Sequence, residues 1–144
     1  MREIKFRGKM VGKNGINDWV FGHIQPVFTG MCIMQVCKYK NSSGIELFQI
    51  DENTVGQYTG LRDKHGVEIY EGDVVDVVPI LGIHFRGVVK FSSHTCAFDV
   101  FREERGDSAC LKDDFSVEVR GNVFDDPVFK KRYGDIYFNE EKNP

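Results

Sequence analysis

A chain of 144 residues suits one domain, or two small lobes sharing one core. Its 41% hydrophobic and 28% charged residues are those of a globular protein, and a net charge of −3 argues against the broad basic stripe that binding to duplex nucleic acid demands. No run approaches the ~18 consecutive apolar residues of a membrane span. Glu3, Lys5 and Arg7 fall where a signal peptide would carry its apolar stretch, so a cytoplasmic protein of the cell that makes it, with no membrane contact, is expected.

Twelve Phe, five Tyr and fifteen Gly, set against Ala97 and Ala109 as the only alanines, favour strands over helices. Ile4 and Phe6 alternate with Glu3, Lys5 and Arg7, which predicts a first strand with one buried face. Gly12-Lys13-Asn14-Gly15 is a turn signal, and Trp19 to Ile24 is the returning strand of a hairpin over 4–24. Trp19, Phe21 and His23 share one face there, Val20, Gly22 and Ile24 the other, and both faces are expected to be covered. Pro26 should end that strand. Met31 to Tyr39 and Ile45 to Ile50 form a second hairpin about Lys40-Asn41-Ser42-Ser43-Gly44, and Asp51-Glu52-Asn53-Thr54 reads as a turn. Residues 1–55 are thus expected as an N-terminal β-hairpin subdomain, a meander.

The densest punctuation lies between Thr54 and Val75, which holds Gly56, Gly60, Gly66 and Gly72. Asp63-Lys64-His65-Gly66 reads as a type I turn closed by a glycine of positive φ. Leu61 precedes it, Val67 and Ile69 follow at the spacing of one strand face, and Glu71-Gly72-Asp73 makes a corner that launches Val74 to Ile80. That run is apolar except for Asp76 and suits a strand covered on both faces, or one bending around a barrel. Phe85 to Phe91 returns; Cys96, Phe98 and Val100 alternate; Phe115, Val117 and Val119 alternate against Ser116, Glu118 and Arg120. Short strands with glycine corners predict a mainly β protein with little helix: a small SH3-like β-barrel over residues ~66–124, inside a 56–127 subdomain that forms one compact unit with 1–55. The tail, 128–144, keeps Val128, Phe129, Tyr133, Ile136, Tyr137 and Phe138, apolar area that should pack on the chain's own body or on a neighbouring copy.

Thr54-Val55-Gly56-Gln57-Tyr58-Thr59-Gly60-Leu61, with Asp63, Gly66 and Ile69-Tyr70-Glu71-Gly72-Asp73-Val74, resembles the signature of the YopX family of phage and prophage proteins. The opening Arg2-Glu3-Ile4-Lys5-Phe6-Arg7-Gly8-Lys9, the Trp19-Val20-Phe21-Gly22 block and the late Gly121-Asn122-Val123 resemble that family's other landmarks in the same order. The resemblance implies a small, mostly β, phage-type protein of unknown function. It carries over no activity and no catalytic residue.

Several constellations imitate chemistry. Arg62, Asp63, Lys64, His65 and Glu68 crowd one hairpin tip, but a turn needs such soluble residues, and no nucleophile, base and orienter stand out. Glu71 and Asp73 share a strand face as a carboxylate pair would, yet carboxylates at corners are usually solvated. Cys32, Cys37, His94 and Cys96 lack metal-ligand spacing, and the four cysteines, Cys32, Cys37, Cys96 and Cys110, read as free and buried as apolar fillers, so no metal or cofactor is expected. Trp19, Phe21 and Tyr58 suit a stacking platform for single-stranded nucleic acid, but core packing is the preferred use. Lys5, Arg7 and Lys9 are the candidate nucleic-acid contacts; the competing reading is a solvated edge strand whose charges deter pairing.

The motif Thr54, Gly56, Tyr58, Gly60, Leu61, Asp63, Gly66, Ile69, Gly72 and Asp73 is therefore read as structural. The function expected is a non-enzymatic binding or assembly module that self-associates. A nucleic-acid accessory protein is the alternative, and a metal-dependent hydrolase about His65, Glu71 and Asp73 ranks last.

Overall fold

A computed structural model describes residues 1–12, 18–103 and 106–139. The chain is mainly β, as its composition predicts, with ten strands in two antiparallel sheets and one helix among the described residues. It divides into two compact units, Met1–Tyr58 and Thr59–Pro144.

In the first unit, β1 (Phe6–Met10), β2 (Trp19–Val27), β3 (Gly30–Tyr39) and β4 (Ser42–Arg62) pair in sequence, and β1 also pairs with β4. The ring of pairings thus closes here, within 6–57, where a simple meander was expected. Closure works because β2 changes partner along its length: Trp19 to Gly22 face β1, while His23 to Val27 face β3. Val20, Ile33 and Ile50 fill the interior, with Met10, Met31, Phe48 and Val55 packed around them. The first expected turn, about Gly12 to Gly15, lies largely outside the described residues.

Three local expectations change. Pro26 does not end β2; its missing N–H is harmless at an exposed position, and it stands opposite Met31. Asp51 to Thr54 is a bulge inside one long strand, since Arg7 faces Gly56 while Lys9 faces Asp51. Thr54 holds the bulge: its hydroxyl donates to the Asp51 carbonyl at 2.6 Å and accepts from the Lys9 N–H at 2.8 Å. Only one face of β2 is covered, because the ring turns Phe21 and His23 outward.

In the second unit, β5 (Glu68–Tyr70) pairs with β4. The strands β6 (Asp73–Val78), β7 (Phe85–Ser92), β8 (Ala97–Phe101), β9 (Ser108–Cys110) and β10 (Ser116–Asn122) form a sheet in the order β10-β6-β7-β8-β9. Its edges are β9 and β10, so this sheet is open where a closed barrel was expected. The helix α1 (Pro127–Phe138) explains the difference, because it covers one face with what had been only a tail. Phe129 and Tyr133 pack there on Val74, Val88 and Val123. On the other face Val75, Val77, Val89, Phe98 and Val100 form a second cluster with Ile69, Leu111 and Val117. The doubly apolar run about Val74-Val75 follows directly, since neighbouring residues of one strand serve opposite cores.

Helix α1 is set by local chemistry at both ends. Asp126 caps it, its Oδ1 accepting from the Val128 and Phe129 N–H groups at 2.8 and 3.3 Å, and Pro127 occupies the first turn, where no N–H is needed. At the far end the Lys90 ammonium donates to the Asn139 carbonyl at 2.7 Å.

Candidate functional site

The family-like motif builds corners. The Asp63 carboxylate accepts from the His65 and Val67 N–H groups at 2.8 and 2.9 Å, and from the Val119 N–H of the adjoining β10 at 3.1 Å. Burial alone pushes this carboxyl up, but the backbone donors of Val119, Val67 and His65 outweigh it and hold the group below its ordinary value. Gly66 has φ +82° and closes the turn, its N–H donating to the Asp63 carbonyl. The Thr59 hydroxyl donates to the Ile69 carbonyl at 2.9 Å. Gly72 has φ +84°, donates to the Val89 carbonyl and accepts from the Val123 N–H. Tyr58 and Ile69 are buried, and Leu61 is partly buried.

Asp73 corrects the expectation of a solvated corner: it is 2% exposed, and its Oδ2 accepts from the Tyr70 N–H at 2.8 Å. Glu71 accepts from the Phe91 N–H at 3.2 Å, and exposed His65 lies 3.7 Å from Glu118. His65, Glu71 and Asp73 thus each face a different structural partner. No group of three His, Cys, Asp or Glu among the described residues is placed to hold a metal ion. Of the four cysteines only Cys32 is buried; Cys96 is exposed in the turn before β8, so the filler reading holds for one of them.

The candidate nucleic-acid contacts do come together. Arg7 lies 4.5 Å and Lys9 5.5 Å from the centre of the Trp19 ring, and Lys5 lies 5.0 Å from that of Tyr58. Their strand is no edge, since β1 is hydrogen-bonded on both sides, and Arg7 is 7% exposed. Trp19 is half-buried under its cations and Phe21 is 42% exposed, so neither is interior packing.

The feature that sequence reasoning missed is an arm. Among the described residues β2 pairs with β3 only as far as Met34, and β1 meets β4 only from Ile50 onward. Residues 35–39 and 42–46 therefore run past their neighbours as a two-stranded ribbon, joined through Lys40 and Asn41. Val36 stands opposite Ile45 and Met34 opposite Leu47, all on the outward face; Val36, Ile45 and Leu47 are 64%, 65% and 54% exposed. On the other face the Tyr39 hydroxyl bonds Glu46, which raises the tyrosine above its ordinary pKa. Alternation was visible here in the sequence, but which face lacked a cover depends on where β1 and β2 stop.

Comparison with known proteins adds a family and a neighbour. The profile of the YopX protein family matches residues 7–129. Among solved structures, the crystal structure of protein EF1440 from Enterococcus faecalis is similar, at 23% identity over 85% of this chain and 94% of that one, with a TM-score of 0.47. No curated protein matches.

Proposed function

The chain belongs to the YopX family, and from that premise we propose that it is a phage-type, non-enzymatic assembly module whose two-stranded arm docks on the same arm of a second copy. The observation that carries this reading is the uncovered outer face of the arm. A two-stranded ribbon is marginal by itself in water, and its unpaired edges invite another strand. Val36, Ile45 and Leu47 give it an apolar strip on one face. The same strip on two copies can meet about a two-fold axis, since an apolar surface needs no complementary charge to be its own partner. Helix α1 is not needed for this argument: Phe129, Tyr133, Ile136 and Tyr137 are packed within the second unit, which leaves Val128 and Phe138 exposed on it. No described helix is long and apolar enough to cross a membrane; a cytoplasmic address in a bacterial host is part of the proposal.

Light scattering on the purified protein and on Val36→Asp and Ile45→Lys variants tests the reading. Both positions are exposed, so the variants should fold; the parent should run as an oligomer and the variants as monomers. A monomeric parent, or variants that assemble unchanged, overturns it.

A second reading takes single-stranded nucleic acid as the partner, favoured by Arg7 and Lys9 gathered over Trp19. Lys9→Gln should then weaken oligonucleotide binding and flatten its salt dependence. Absence of any salt-sensitive binding ends that reading.

A further inference from the structure

At one end of the helix-covered face of the second sheet lies a cavity of about 360 Å3, lined in part by Asp76, Arg86, Arg102, Glu103, Arg132 and Tyr133. Its size is that of a small-molecule site. The three arginines are not equivalent. Arg86 is fully engaged, its Nε and Nη2 donating to the two oxygens of Asp76 at 2.6 and 2.9 Å. The Arg102 guanidinium carbon lies 3.9 Å from the centre of the Phe85 ring, and among the described residues it reaches an acid only at 3.8 Å, from Asp107, while its buried Nε has no hydrogen-bond partner. A buried donor without an acceptor is unusual and costly in a folded protein. Arg132 pairs with Glu103 at 3.5 Å, its one acid among the described residues, with its side chain half exposed.

We propose that this cavity binds a small phosphate ester, whose phosphate bridges Arg102 and Arg132 and whose apolar body lies against Ile83 and Phe85. Two guanidinium forks with unused donors on one concave wall match the oxygens of a phosphate, and neither is neutralised by a close bidentate acid. Asp76, by engaging Arg86, holds the floor of the cavity in place. Glu103 stands where the ligand must arrive; its carboxylate occupies Arg132 loosely and is displaced by the phosphate. Phosphate alone would leave much of the volume empty, and Ile83 and Phe85 supply apolar wall for an attached group.

Titration of the full chain with phenyl phosphate, followed by the side-chain Nε–H signals of its arginines in NMR, decides the matter. Phenyl phosphate should move the Arg102 and Arg132 signals saturably, inorganic phosphate more weakly, and phenol not at all. Arg132→Gln, half exposed and so tolerated by the fold, should weaken binding about tenfold, the loss expected for a charge-assisted contact. Glu103→Gln should tighten it, an effect opposite to that of general damage. Arg102→Lys, which keeps the charge but not the fork, should weaken it as well. Absence of saturable shifts, equal responses to phenol and phenyl phosphate, or unchanged affinity in Arg132→Gln and Glu103→Gln overturns the site. Equal affinity for inorganic phosphate and phenyl phosphate overturns the apolar subsite.

Discussion

The Asp63 carboxylate accepts a hydrogen bond from the backbone N–H of Val119, 56 residues further along the chain, while its other oxygen closes its own turn. One side chain thus ties a local corner to β10, an edge strand of the second sheet. Asp63→Ala should cost about 3 kcal/mol, because three backbone donors lose their acceptor at once. The folded carboxyl titrates below its ordinary value, so its contribution is present above the unfolded pKa of about 3.9 and is lost as pH falls through the folded value. Urea melts of the parent and of Asp63→Asn between neutral and acid pH check this: the gap between them should shrink as the medium is acidified.

Gly66 and Gly72 have nearly the same φ, +82° and +84°, but different surroundings. A Cβ on Gly66 meets nothing within 4 Å, whereas one on Gly72 falls 2.6 Å from the Phe124 ring. Gly66→Ala should therefore cost about 1 kcal/mol, the left-handed penalty alone. Gly72→Ala should cost about 3 kcal/mol, since ring displacement adds to it. Thermal melts of the two variants should rank them in that order.

Helix α1 is a working part of the second unit. Tyr133→Ala should cost about 3–5 kcal/mol by emptying the space over Val74 and Val88. Asp126→Ala should cost about 1 kcal/mol, the usual loss of a helix cap. Truncation after Asp125 should leave Val74, Val88 and Val123 open to water, and strong binding of an apolar dye to the truncated chain would display that surface. A truncated chain as stable as the parent would contradict the packing described.

Asp76 is held below its ordinary pKa by hydrogen bonds from Arg86, which outweigh burial, with His84 and Arg120 acting in the same direction. Arg86 is raised in turn by Asp76. Arg86→Met should cost about 2–4 kcal/mol at neutral pH, because it leaves a mostly buried carboxylate with only the looser Arg120, at 3.6 Å, and His84, at 3.9 Å, for partners. Protonation relieves that carboxylate, so the deficit should narrow as pH falls. Denaturation of the variant across that range gives the check.

The β class, both hairpins, the Asp63–Gly66 turn and the double cover of β6 were legible because alternation and turn chemistry are local. The ring in the first unit was not, because closure depends on β2 changing neighbours halfway and on four residues of β4, 52–55, standing against Gly8 alone in β1. The helix left a signal that was passed over: Asp126-Pro127 is a cap followed by a first-turn proline, with Phe129, Tyr133 and Ile136 spaced along one face. Asp76 was visible as the lone acid in an apolar run, and Arg86 as a charge on the returning strand. Only the register, which sets them opposite each other, joins them. The arm and the arginine-lined cavity arise from where strands end and helices begin, which periodicity does not report.

The double cover of β6 has a price in ambiguity. Val74 and Val75 differ only in which side of the sheet they serve, so sliding the strand by one position would trade valine for valine, with little objection from either apolar layer. Asp76 against Arg86 is the notch that forbids the slip: shifted by one, the acid would face Gly87 or Phe85 on β7 and lose its two-pronged mate there. Two charges set among interchangeable aliphatic neighbours thereby give a uniform ribbon a unique alignment.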